Sequence, residues 1–195
     1  MNHKYYIIHK PYKILSQFTD ENGNSGLGSI YQLPADVYPV GRLDLDSEGL
    51  LILTNDKSLN QRLLNPKFKH ERTYLAQVEG IPSKDDLYKF ASGLNINLGK
   101  GKIHHTLPAK IRILEKFDIE ERTPPVNYTK SALHSWLEIK LVEGKNRQVR
   151  KMTAAIGHPT LRLIRSSIEK LQLANLASGQ IQELSRGKMY ELLKI

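Results

Sequence analysis

Cysteine is absent from all 195 residues. That excludes disulfides, thiolate metal sites and a thiol nucleophile. No apolar stretch approaches the roughly 18 residues needed to span a membrane. The first ten residues, MNHKYYIIHK, lack the apolar core of a secretory signal, which predicts a cytoplasmic protein. Internal repeats, low-complexity segments and a clear linker are also missing. What is present is an excess of base: the formal net charge is +9 and the isoelectric point near 9.6. A domain of that charge seeks a polyanion, most often nucleic acid, rather than merely being soluble. The distribution supports this reading, because residues 144–168 hold no acid but contain Lys145, Arg147, Arg150, Lys151, Arg162, Arg165 and His158.

The length suits one domain, or two small lobes sharing a cleft, and a hydrophobic content of 39% is enough for a core. The stretch VGRLDLDSEGLLILTND at 40–56 organises the chain. Leu50 to Leu53 form a short apolar run bounded by Gly49 and by Asn55-Asp56, which reads as a buried strand. Asp44 then sits on a turn anchored by the strand that follows it. Lys4 to Ile8 predicts a strand, ended at Lys10-Pro11. Residues 19–29, glycine-rich and polar, predict a mobile connector. Asp56 is placed to cap a helix over 58–65 that Pro66 stops, with Leu59 and Leu63 on one face.

The segment RTYLAQVEG predicts a strand with Tyr74, Ala76 and Val78 on its more apolar side. Ser83 caps a second helix that ends near Gly93. GKGKIHHTLPA reads as a basic loop before a strand over 110–117, and 117–130 as a surface loop. SWLEIKLVEG predicts another strand. Asn146 is placed to cap a third helix, with Val149, Met152 and Ile156 on its apolar face and Arg147, Arg150 and Lys151 on another. The remainder reads as short strands around the turn at 177–179. Strands and helices without a regular βαβ alternation point to α+β.

Taken as residues, the acids Asp44, Asp46, Glu48 and Asp56 leave several chemistries open. A metal site lacks a histidine pair at ligand spacing, and the acid spacing does not suit a calcium loop. A pair of carboxylates could serve glycoside chemistry. A single carboxylate, Asp44, could act as nucleophile or base beside a basic partner. A solvated turn is the plainest reading, and it is the one given to Asp46 and Glu48, with Asp56 as a cap.

GRLDLDSEGLLILTND resembles the signature of the RNA pseudouridine synthases, in their RsuA/RluB/E/F branch. Other segments match that family in order: HKPYKILS the first motif, RTYLAQV the tyrosine motif, EGKNRQVRKM the arginine motif, and GHPTLRLIRSSI the tail. EGIPS, HTLPA and RQVRKMTAAIGHPTLRLIR are most similar to the members of that branch that act on the large ribosomal subunit. Arg72 and Ser47 stand where the family often has lysine and threonine.

The resemblance implies a pseudouridine synthase fold: a central, mostly antiparallel sheet of two lobes flanked by helices, with a catalytic cleft between them and no S4 domain. It also implies isomerisation of a specific uridine to pseudouridine, in 23S ribosomal RNA, without a cofactor or metal. Asp44 would be the catalytic carboxylate on a flipped-out nucleotide. Tyr74 would stack on the base and Arg150 would pair with Asp44. Arg42 would enter the vacated stack, and Val149 would line the uracil pocket. From the residues alone, Arg150 could equally hold a phosphate, Tyr74 and Val149 could be core, and Arg42 a surface charge. Lys67, Lys69, Arg72, Lys100, Lys102, Arg147, Lys151, Arg162 and Arg165 form the expected RNA footprint. His104 and His105 are expected at the surface. The implied partner is large-subunit ribosomal RNA or an assembling ribosomal particle, met by a monomer. The alternative is an inactive RNA-binding or ribosome-assembly protein on the same fold.

Overall fold

A computed structural model describes residues 3–117, 119–127 and 133–195. In chain order the strands and helices of its first part are β1 (Tyr5–Lys10), β2 (Tyr38–Pro39), β3 (Glu48–Thr54), α1 (Lys57–Leu64), β4 (Arg72–Glu79) and α2 (Lys84–Ser92). They are followed by β5 (Asn95–Asn97), β6 (Ile103–His105), β7 (Lys110–Leu114), β8 (His134–Leu141) and α3 (Gln148–Ala155). The chain closes with β9 (Thr160–Ile168), β10 (Leu171–Gln172), β11 (Ile181–Glu183) and α4 (Arg186–Leu193). Two compact units result: one is built from 1–70 and 164–195, the other from 71–163. No helix among the described residues is long and apolar enough to cross a membrane.

In the first unit, β1 lies between β11 and β3, antiparallel to both, and β2 adds to β3. The pairing of β3 with β9 is parallel, Gly49 lying opposite Arg165. All seven residues of β3 are buried, as the apolar run predicts. The strand begins earlier than the run, and so takes in Glu48, which is 1% exposed. Glu48 is therefore not a solvated turn residue, because strand pairing carries it inside. Gly49 has a positive φ of 106°, and a Cβ there would lie 2.7 Å from the backbone N of Arg165. Only glycine lets the two strands approach that closely.

Asp56 caps α1 by accepting from the Ser58 and Leu59 amides, and Leu59 and Leu63 are buried beneath it. The loop over 19–29 is a built structure rather than a plain connector. Leu27 is fully buried in the core beside Leu51 and Leu53, and the Gly26 amide donates to Asp20. A Cβ on Gly26 would meet the carbonyls of Gln17, Phe18 and Thr19. Residues 186–193 form a helix that apolar periodicity does not announce; Ser185 caps it through the Lys188 amide.

In the second unit, β8 lies between β4 and β7 in antiparallel pairing. Ser83 and Asp86 form a reciprocal capping box at α2. The basic segment after Gly93 is no loop: β5 and β6 pair as a hairpin, whose tip runs through Gly99, Lys100 and Gly101, all with positive φ. Asn146 does not cap α3. Arg147 adopts a left-handed conformation and occupies the cap position outside the helix, so it does not share a helix face with Arg150 and Lys151. The Gln148 side chain accepts from the Lys145 amide in place of the expected cap. Ala76, Val78, Phe90, Leu137, Ile139, Val149 and Met152 form the core of this unit. Asp118 and residues 128–130 of the expected surface loop, with 131 and 132 after it, lie outside the described residues.

Candidate active site

Asp44 belongs to the first unit, on the segment that leaves β2 and turns into β3. Val40 extends the β2 pairing by donating to the Ile52 carbonyl, and Gly41 then turns the chain at φ 72°. Arg42 is exposed, Leu43 is buried in the core and Asp44 is partly exposed. The Ser47 amide donates to the Asp44 carbonyl at 3.0 Å and closes a four-residue turn.

Residues 10–16 hold this turn from outside. The Ser16 hydroxyl accepts from the Leu43 amide at 2.9 Å and donates to the Leu43 carbonyl at 2.8 Å. The Lys13 amide donates to the Leu45 carbonyl at 2.9 Å. Lys10, fully buried, sends its ammonium to the carbonyls of Pro11 and Ile14 at 2.8 and 2.7 Å. Burial lowers the Lys10 pKa to about 8, against the opposing pull of Glu48, Asp46 and Asp44. The buried Arg165 adds to the lowering, so two interior cations lie near the acids of this turn. Of this arrangement only the stretch HKPYKILS is visible in sequence; neither the burial of Lys10 and Glu48 nor the partnership of Ser16 with Leu43 has a local signal.

Tyr74, Val149 and Arg150 lie in the second unit. Tyr74 stands opposite Ile139, half-buried, and packs on the core cluster that includes Val149. Val149 is 4% exposed, so it is a core residue of α3. Arg150 is partly buried and donates from Nη1 to the Thr160 carbonyl at 3.1 Å. The hydroxyls of Thr153 and Thr160 meet at 2.7 Å and tie the same helix to the start of β9.

Among the basic residues, Lys67 and Lys69 are exposed in the first unit, and Lys100, Lys102 and Arg147 in the second; Arg72 and Lys151 are partly buried. Arg162 and Arg165 do not belong to a solvent-facing footprint. Each is 6% exposed. Arg165 donates from Nε to the Leu50 carbonyl at 2.8 Å, and Arg162 from Nη1 to the Glu120 carbonyl at 2.8 Å. Sequence charge does not reveal direction, and β9 is buried over residues 162–165, so its arginines become structural cations. His105 is exposed, as expected, and meets Asn95 at 2.9 Å, while His104 is partly buried and meets Glu143 at 3.1 Å. Glu143 also accepts from the Leu107 amide and from Gln148. Burial alone would raise the Glu143 pKa, but these hydrogen bonds outweigh it and hold the pKa low.

Residues 4–155 match the RNA pseudouridylate synthase family. The chain belongs to that family, and the mostly antiparallel strand pairing that its motifs imply is observed within each unit. Among curated relatives, it is 46% identical over 183 residues to ribosomal large subunit pseudouridine synthase E of Vibrio parahaemolyticus, covering 94% of this chain and 74% of that protein. It is 45% identical over 173 residues to the enzyme of the same name from Xanthomonas axonopodis, covering 88% of each. Ribosomal large subunit pseudouridine synthase B of Bacillus subtilis is 36% identical over 182 residues, covering 93% of this chain and 68% of that one. A crystal structure of a pseudouridylate synthase shares the fold with a TM-score of 0.80 at 24% identity, covering 98% of this chain and 74% of that one.

Proposed function

We propose that this protein isomerises a specific uridine to pseudouridine in large-subunit ribosomal RNA, free or within an assembling particle, as a cytoplasmic monomer. The observation that carries the substrate is the identity of 44–46% to several enzymes named ribosomal large subunit pseudouridine synthase E. Asp44 is the catalytic carboxylate, and its tethered turn is the kind of rigid mount that a reacting group requires. In the reaction the bond from uracil N1 to ribose C1′ breaks, the base turns, C5 bonds to C1′ and then loses its proton, and N1 takes one up. The product is an isomer, so atoms and electrons balance without a cofactor.

Arg42, Tyr74 and Arg150 are the substrate-binding residues, and Val149, buried in the core on which Tyr74 packs, supports that ring rather than touching the base. Tyr74 retains a partly exposed ring, and stacking on an extruded base is worth about 1–3 kcal/mol. Extrusion costs a few kcal/mol, which contacts from Lys67, Lys69, Arg72, Lys100, Lys102, Arg147 and Lys151 to phosphates offset. The test is carbodiimide mapping of large-subunit RNA from cells with the native gene, without it, and with Asp44→Asn. One pseudouridine should vanish in the last two. Its persistence with Asp44→Asn would sink the assignment of Asp44, and an unchanged map in the deletion would sink the substrate.

A further inference from the structure

We infer that Ser16 is a positioning residue for Asp44, setting the direction of its carboxylate through the backbone of the catalytic turn. The inference rests on the reading of Asp44 as the catalytic group. A side chain's direction is set by the two peptide planes that meet at its Cα. The plane before Asp44 carries the Leu43 carbonyl, which accepts from the Ser16 hydroxyl at 2.8 Å. The plane after it carries the Asp44 carbonyl, which accepts from the Ser47 amide at 3.0 Å. Ser16 also accepts from the Leu43 amide at 2.9 Å, so one hydroxyl fixes the peptide groups on both sides of Leu43. With Lys13 on the Leu45 carbonyl, the turn is held ahead of Asp44 and behind it.

The clamp is itself rigid. Ser16 is 7% exposed. The chain before it is gathered by the Lys10 ammonium on the Pro11 and Ile14 carbonyls. The neighbouring Leu15 amide donates to Ser25, and the Leu27 amide to Gln17, so the folded 19–29 loop braces Ser16 from the other side. Ser16 is not required to touch the substrate; its effect passes through the backbone. Small displacements of a reacting group carry large kinetic costs, on the order of a hundredfold per ångström.

The test compares Ser16→Ala, Ser16→Thr and Asp44→Asn on one ribosomal RNA transcript, with kcat and KM measured separately. Ser16→Ala should lower kcat about ten- to hundredfold with KM unchanged. Ser16→Thr, which keeps the hydroxyl, should recover most of it. Hydrogen exchange at the Leu43 amide should quicken in Ser16→Ala while β3 stays protected. If the alanine variant does not fold, Ser16→Cys preserves the volume with a thiol that bonds weakly, and the same loss of kcat is expected. Wild-type kcat in a folded Ser16→Ala or Ser16→Cys, with Asp44→Asn inactive, overturns the positioning role alone. A raised KM at unchanged kcat overturns it too, since Ser16 would then serve binding. Full activity in Asp44→Asn instead removes the reading on which the inference rests.

Discussion

The Tyr190 hydroxyl donates to the Asp56 carboxylate at 2.6 Å across 134 residues of sequence. Tyr5 donates to the same oxygen at 2.7 Å, and the other oxygen caps α1. One carboxylate therefore joins β1, α1 and α4 within the first unit. Burial would raise its pKa, but the hydrogen bonds from Tyr190, Tyr5, Leu59 and Ser58 outweigh burial and lower it. Tyr190→Phe removes one hydrogen bond to a charged group and should cost about 1.5–3 kcal/mol in urea unfolding. A depressed carboxylate contributes stability that is complete above its unfolded pKa and lost as pH falls through the folded one. The gap between wild type and variant should thus be full at neutral pH and close as pH drops below 3.8.

Lys10→Met should destabilise by about 1–3 kcal/mol, because it removes the ammonium hydrogen bonds to the Pro11 and Ile14 carbonyls. The pH dependence has the same sign as that of Asp56 but lies in the alkaline range. The folded state holds the Lys10 proton more weakly, with a pKa of about 8 against 10.5 in its ordinary state. Between those values the unfolded chain binds more protons, so wild-type stability relative to the variant rises with pH, by up to about 3 kcal/mol. Urea midpoints of both proteins from pH 7 to pH 10.5 check the sign.

Gly49→Ala should prevent folding or cost more than about 3 kcal/mol. The new methyl would meet the backbone of Arg165, which cannot yield without separating β3 from β9. The measurement is soluble yield and thermal midpoint. A variant as stable as wild type would contradict the parallel register.

Lys100→Gln combined with Lys102→Gln should weaken RNA binding without changing the fold, since both lysines are exposed on the β5–β6 hairpin. The slope of log affinity against log salt should fall by about 1.4–1.8. An unchanged slope would remove the hairpin from the proposed footprint.

What was legible in advance was local. The run Leu50–Leu53 announced β3, Asp56 and Ser83 announced their helices, and alternation put Tyr74, Ala76 and Val78 on one side of β4, because each signal lies within a few residues of its effect. Asn146 failed as a cap for an equally local reason: the left-handed turn at Arg147 brings Gln148 to the Lys145 amide instead. The order of the motifs was enough to reach the family and to single out Asp44, Tyr74 and Arg150 as candidates.

Direction and partnership were decided by the tertiary structure. Charge along the chain grouped Arg162 and Arg165 with the exposed bases, yet β9 draws both inside. Lys10 and Glu48 look like surface residues until β1 and β3 pair and bury them. Ser16 is 27 residues from Leu43, and Tyr190 is 134 from Asp56; chain closure and packing bring them together, and neighbouring residues do not encode either meeting. Sequence alone determined the chemistry available to this protein, because side-chain type and motif order are covalent facts. Which of those side chains face solvent, and which hold the Asp44 turn in place, follows only from burial and hydrogen bonding across the folded chain.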